Sequence, residues 1–460
     1  MIHYEIRGGL SPAQMEELFQ GAQSVLAETG LETNSGRIAS FLSSRAGFRV
    51  DGTRVRMTPE LIRDCGAHAR GAPKRERQKH YSLELLSGYP TSHVDWRDGA
   101  MKPIHTEALI ELTKLVDVLH PRGVHGSAPG VPQDAPPPLR GLKGFLIGAQ
   151  YCRRGGDVPA TTVEDIDWIY RMLEACGREL DLGIYVINPL RAEGNTFEQL
   201  LKLDGKKCRL SVGNMPVLGV SAPIHMIGAF TLGLAAVWGA YAIVREITGA
   251  EEIGVECRVW PPNMKNLDIV YGSPEMALSD LISKQLADYF NWPDPGCDCF
   301  HSSALFPDAQ AQAQRGAYAA AMALAGHRKF RFGGLLGVDL VFSAQQLLMD
   351  LEMIRYCQHI TRGVAFSQTT QSLAAIRSAG VAGSFLTQDH TLDHWRDCLW
   401  PQNHWIAESL GSWKTNHTPL LMESLTAEIP ILINSYHYEC DEPLMAELNA
   451  IYSHAEKALL

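Results

Sequence analysis

Apolar positions along this chain fall into two alternating kinds of run. Short, near-continuous ones at 182–188, 210–214 and 253–257 are bounded by polar or turn residues, and longer ones repeat at helical spacing. Strands of a parallel sheet read this way because both faces are covered, and two such strands need a crossover of a dozen or more residues, usually a helix. The stretch 210–260 is one such unit. Its first run breaks at Asn214 and Pro216, a helix-length segment at 225–247 carries little charge on any face, and a second run brings Glu256 and Cys257 near its end.

The pattern repeats. Further strand-like runs lie at 93–96, 124–128, 144–151, 297–303 and 329–337. Ser11, with Pro12 and Gln14, opens a helix that stops at Gly30, and Thr58-Pro59-Glu60 opens another. Between them a hairpin is expected at 48–57 around Asp51-Gly52. Leu109, Leu112, Val116 and Leu119 mark one helix, and Ile166, Ile169, Tyr170 and Leu173 mark another behind a Thr162–Asp165 cap. Ser273, Asp308 and Ser343 start helices reaching about 289, 325 and 359. Seven or eight strands alternating with helices between about 93 and 360 predict an α/β protein, a (β/α)8 TIM-type barrel rather than an open doubly wound sheet. Residues 1–90 read as an N-terminal helix and hairpin extension, 91–365 as the barrel, and 366–460 as a C-terminal helical extension packed on it. The loop PGVPQDAPPP can be neither helix nor central strand, and reads equally as a lid or a rigid connector.

A barrel gathers the polar residues at its strand ends on one rim. Glu256 is the carboxylate best placed there. Asn188 and Asn214 end strands just before prolines, where they either orient a substrate or make turns. Trp260, Phe300 and Phe332, and further on Trp395, Trp400 and Trp405, offer aromatic faces for a cation or fill the core. Cys297, Cys299 and His301 would point the same way from a strand and suit zinc, but such a site takes three or four ligands and no second cluster supplies the rest, so no metal is expected.

Charge narrows the classes. A formal net charge of -10 with no Lys/Arg run leaves no field for nucleic acid. No G-x-G-x-x-G follows a strand and no Walker A sequence occurs. The uncharged stretch 226–244 is nearly long enough to cross a membrane, yet Gly228, Gly233 and Gly239 and its place within the strand alternation favour a buried helix. The start, MIHYEIRGGLSPAQ, has no apolar h-region, and ten cysteines without a dense framework suit a reducing cytoplasm.

The runs MPVLGVSAPIHMIGAFTLGLAAVWGAYAIV, YGSPEMAL, PDAQAQAQRG, FSAQQLLMDLEM and AGSFLTQDHTLDHWR, in that order and spacing, resemble the trimethylamine methyltransferase family. The likeness is to its non-pyrrolysine branch, typified by glycine betaine:corrinoid methyltransferases. It covers most of the chain and is clearest from about 208 to 396. The resemblance implies a (β/α)8 barrel that moves a methyl group from a methylated amine to the Co(I) of a separate corrinoid protein, so cobalamin is carried by the partner. His390, in QDHT, matches the family's HT pair. The candidate catalytic residues are then Glu256, His301 and His390, and the candidate substrate-binding residues Asn188, Asn214, Trp260, Phe300, Phe332, Asp308 and Gln310. A homo-oligomer is expected.

Two departures matter. Every position is a standard residue, so the pyrrolysine of the trimethylamine branch is absent. Where relatives carry D-x-Q-A-x-x-E, this chain has Asp308, Gln310, Ala311 and then Gln314, which changes either the site or merely a helix surface. The chemistry agrees with the first departure. A tertiary amine is a poor methyl donor, whereas a quaternary trimethylammonium leaves as a neutral amine, so the protein need only bind, orient and admit Co(I). The expected function is transfer of a methyl group from a small quaternary amine, glycine betaine or a related betaine. A non-catalytic quaternary-amine binding protein, and a zinc-dependent lyase or hydrolase using Glu256 and His301, are the alternatives.

Overall fold

The computed structural model describes residues 9–72, 78–203, 205–367, 369–401 and 403–460; residues 1–8 of the expected extension lie outside the described residues. The fold is mixed α/β. Leu180–Val186, Cys208–Asn214 and Ile253–Val255 run side by side in parallel, with Gly183 opposite Ser211, Tyr185 opposite Gly213, and Val212 opposite Val255. A second parallel group sets Ser82–Glu84 between Lys329–Arg331 and Val124–His125, and Cys297 extends it by pairing in parallel with Phe330.

Helices cover the outer faces. Met226–Thr248 crosses from the strand ending at Asn214 to the one starting at Ile253, as its length and lack of charge predict. It is the one described helix long and apolar enough to span a membrane, and it lies inside the protein with Trp238 and Phe230 fully buried. The N-terminal helix Pro12–Glu28 packs along it, capped by Ser11 and Gln14 as expected. Gly239 permits that approach, because a Cβ there would lie 2.9 Å from Leu26 Cδ2. Phe19, Trp238, Phe290 and Trp292 form the aromatic centre of this core, with ring centroids 4.8–5.5 Å apart. The hairpin Phe48–Asp51 with Arg54–Met57 and the helices Pro274–Phe290, Ala309–Leu324 and Ala344–Thr361 also form where capping and turn residues place them.

Several strands differ from the sequence reading. The run at 144–151 is part of a helix, Arg140–Tyr151: Leu142, Phe145, Leu146 and Ala149 are buried at helical spacing, and Gly144 and Gly148 let it settle against neighbouring loops. Ser92–Val94 does form, but in a separate four-stranded mixed sheet with Leu335–Leu336, Val341–Ser343 and Met101–Pro103. The parallel strand Ser82–Glu84 falls instead within the stretch expected to be an extension. In the 297–303 run only Cys297 pairs, because the His301 N–H turns back to the Asp298 carbonyl. The 329–337 run splits at Phe332, whose φ of +71° is left-handed and ends the extended backbone.

Candidate active site

Strand alternation builds the site. Leu182, Ile184 and Val186 turn outward and are buried against the helices, so Asp181, Gly183 and Tyr185 occupy the opposite face. In register beside them stand Arg209, Ser211 and Gly213, and beyond these Gly254 and, one residue past the strand, Glu256. A cavity of about 330 Å3 opens on this face, and strands of both parallel groups wall it: Tyr185, Ser211, Gly213, Gly254 and Glu256 from the first, Glu84, Lys329 and Arg331 from the second.

The glycines decide what the cavity can hold. A Cβ on Gly213 would lie 2.9 Å from the Tyr185 ring, and one on Gly183 would lie 3.1 Å from it. Only bare backbone at both positions lets the ring lie over the sheet, where it stays 42% exposed to the cavity. An aromatic face presented this way binds a cation through its π electrons.

Ionised groups flank the ring. Arg331 Nη1 donates to Glu256 Oε1 at 2.9 Å, and its Nε lies 3.5 Å from Asp298 Oδ1. Behind it Arg258, with no side-chain exposure, donates through Nε to Asp280 Oδ1 at 2.6 Å, reaches Asp298 at 3.6 Å, and also contacts Glu256. Asp280 further accepts from the Tyr318 hydroxyl at 2.5 Å and the Asp298 N–H at 2.7 Å. Burial raises both carboxyls. At Asp298 the guanidinium groups of Arg258 and Arg331 outweigh it and hold the carboxyl below the usual range, while at Asp280 burial wins. Three carboxyl groups, of Glu256, Asp280 and Asp298, thus share two guanidinium groups, those of Arg258 and Arg331. By contrast, among the described residues neither Glu84 nor Lys329 has an ion-pair partner.

Next to the lattice lies an aromatic stack. His301 sits between Tyr271, with ring centroids 3.5 Å apart, and Phe332, at 4.6 Å, and its Nε2 meets Asp339 Oδ1. Arg331 lies over the Phe332 ring at 4.8 Å, which ties the stack to Glu256 through one side chain. Asp339 reaches His301 from a backbone with φ +71°, a left-handed conformation that a non-glycine residue keeps only when its surroundings fix it.

The model of the family described as Trimethylamine methyltransferase (MTTB) matches residues 4–437. The chain belongs to the trimethylamine methyltransferase family. It is 22% identical over 400 residues to the glycine betaine methyltransferase of Desulfitobacterium hafniense, spanning 83% of each chain. It is 27% identical over 211 residues to the trimethylamine methyltransferase MttB of Desulfitobacterium hafniense, which takes in 45% of this chain and only 42% of that enzyme's length. Among solved structures, the monomethylamine methyltransferase of Methanosarcina barkeri covers 96% of this chain and 87% of its own at 10% identity and a TM-score of 0.46, too low to bear on the fold.

In this member of the trimethylamine methyltransferase family the structure brings together only some of the residues singled out from sequence. Glu256 lines the cavity, and His301 and Phe332 adjoin it through Arg331. Asn214 is 1% exposed and donates to the Gly233 carbonyl at 2.8 Å, and Asn188 precedes a cis Pro189 and donates back to Val186. Trp260 and Phe300 belong to the hydrophobic core rather than the cavity wall, at 5% and 0% exposure. Asp308 caps its helix by accepting from the Ala311 N–H at 3.1 Å, and Gln310 is exposed beside it. His390 bonds Ser372 and meets the His394 ring edge to face, contacts that stay within the C-terminal segment. Gln314 accepts from the Ser302 hydroxyl at 2.8 Å, so the family departure faces the segment carrying His301 and not the outer helix surface. Cys297 and Cys299 sulfurs lie 3.7 Å apart with His301 turned to Asp339, and among the described residues no three His, Cys, Asp or Glu gather as a metal site. Tyr185, Glu84, Lys329 and Arg331 escaped the sequence reading; for Tyr185 alone the alternation with Leu182, Ile184 and Val186 was there to point at it.

Proposed function

We propose that the protein transfers a methyl group from a small quaternary amine, glycine betaine or a related betaine, to the Co(I) of a corrinoid protein. The observation that carries this reading is the Tyr185 ring, laid over Gly183 and Gly213 in a cavity that Glu84 and Glu256 also line. A permanently charged trimethylammonium cannot donate a hydrogen bond. It is held by aromatic faces and by carboxylates at a distance, and this wall supplies both. Family membership and the match to a glycine betaine methyltransferase over 83% of each chain support the same substrate class.

The two parallel strand groups are read as arcs of one (β/α)8 ring, since both wall the same cavity and Cys297 already extends the second arc. In this arrangement Ser82–Glu84 belongs to the ring, residues before it form the extension, and residues from about 366 pack outside. A cavity of about 330 Å3 suits a small amine and is too small for a corrin macrocycle, so the cofactor belongs on the partner protein. Cobalamin as Co(I), if brought to the mouth by the partner protein, would supply the electron pair that accepts the methyl carbon. The C–N bond electrons stay on nitrogen, and a neutral tertiary amine leaves. The residues here bind and orient: Tyr185 and Glu84 hold the cation, Arg331 keeps the Glu256 carboxylate fixed, and the Asp339–His301–Phe332 group closes the site against water on its other side. The exposed apolar side chains of Phe366, Leu386 and Leu399 give a homo-oligomer surface to bury, and the ten free thiols suit the cytoplasm.

The test is a single-turnover reaction of the purified chain with Co(I)-cobalamin and glycine betaine, trimethylamine or no amine, followed by loss of the Co(I) absorbance. Loss with the betaine and not with trimethylamine is expected; equal rates in all three mixtures would refute the reading.

A further inference from the structure

The cavity has a charge axis set by strand register. Glu84 pairs in register with Arg331, Tyr185 with Gly213, and Arg331 touches Glu256, so these residues share one level of the ring. Lys329 stands two residues earlier on the strand of Arg331, in register with Ser82, roughly 6–7 Å nearer the amino ends of the strands at ~3.3 Å per residue. The Gly183, Ser211 and Gly254 level on the opposite wall adds no charge. Of the cavity's cations, Arg331 is engaged by Glu256 and Asp298, while Lys329 has no ion-pair partner among the described residues. The remaining wall carboxylate, Asp294, accepts the Gly296 N–H at 2.9 Å. One free ammonium thus stands below one free carboxylate, Glu84, in the same cavity.

Resting on the substrate reading above, we infer that Lys329 is the specificity residue: it binds the substrate's carboxylate and turns the trimethylammonium end toward Tyr185 and Glu84, at the carboxyl ends of the strands. Lys329 lines the cavity without an ion-pair partner among the described residues, so its ammonium is available for a charge-assisted bond to a ligand carboxylate, while Glu84 is left for the ligand's cation. The arrangement selects zwitterions over equally methylated ammonium compounds lacking an acid. It also fixes which end of the donor meets a reagent arriving at the mouth.

The test compares glycine betaine with choline, which keeps the trimethylammonium and replaces the acid by an alcohol. Calorimetric binding to the full chain is expected to favour glycine betaine roughly tenfold or more, the scale of one hydrogen bond between charged groups. Lys329→Gln should bring the ratio near one, and Lys329→Arg should retain most of it, with thermal melts confirming that both variants fold. A betaine-to-choline ratio unmoved in Lys329→Gln, in a chain whose wild type consumes Co(I) with glycine betaine, overturns this inference alone. A wild type that neither binds either compound nor consumes Co(I) overturns the substrate reading and the inference with it.

Discussion

Gly213→Ala isolates the aromatic wall of the cavity. The added Cβ would sit 2.9 Å from the Tyr185 ring, against a normal carbon separation of ~3.5–4.0 Å, so the ring must move by roughly 0.6–1.1 Å. Gly213 does not occupy left-handed backbone, so alanine is conformationally allowed there, and its lower unfolded-state entropy favours the fold slightly. The loss therefore falls on binding. A cation–π contact in a partly desolvated site contributes about 1–2 kcal/mol, which converts to roughly a 5- to 30-fold rise in Kd. Titration calorimetry with glycine betaine measures this, alongside the thermal midpoint, which should stay unchanged or rise. A double-mutant cycle supplies the control: in a Tyr185→Leu background Gly213→Ala should cost almost nothing, because the ring it displaces is gone. Equal losses in both backgrounds, or no loss in the wild-type background, would refute the claim that the glycines exist to seat Tyr185.

The buried ion-pair lattice and His327, buried in the helix-to-strand turn before Lys329, make further predictions. Arg258→Met leaves Asp280 buried without its guanidinium partner and Asp298 with only Arg331, which should cost about 3–5 kcal/mol in urea denaturation; a loss under ~1 kcal/mol would mean the lattice does not hold this end of the fold. His327 is fully buried, and burial lowers its pKa to about 3. A base with a depressed folded pKa stabilises most above its unfolded value of ~6.5, and that contribution drains away as pH falls toward the folded value. Between about pH 6 and about pH 4 the wild type should therefore lose up to ~1.4 kcal/mol per pH unit more than His327→Leu does, and parallel pH profiles for the two proteins would exclude a buried neutral histidine.

What the sequence disclosed was local. The Ser11, Ser273, Asp308 and Ser343 caps, the Asp51-Gly52 hairpin and the long uncharged helix each depend on neighbours within a few residues, and each forms as read. The parallel strands were harder, because two or three residues suffice once both neighbours are in place. Ser82–Glu84 carries no apolar run to betray it, and Arg140–Tyr151 carries one that its glycines and alanine disguise. In the site, Glu256 was legible as a strand-end carboxylate. Tyr185 and Lys329 were not, since treating their strands as covered on both faces overlooks the cavity, which leaves the residues on one face accessible. Trp260 and Phe300 drew attention by size, and large rings more often fill a core than line a pocket.

The central claim is best tested by the fate of the methyl group. With glycine betaine labelled in its methyl carbons, the wild-type chain and Co(I)-cobalamin should release one equivalent of dimethylglycine for each Co(I) consumed, by carbon NMR and absorbance on the same sample. Co(I) loss without dimethylglycine, or an unchanged betaine spectrum at full protein concentration, would contradict methyl transfer from a quaternary amine.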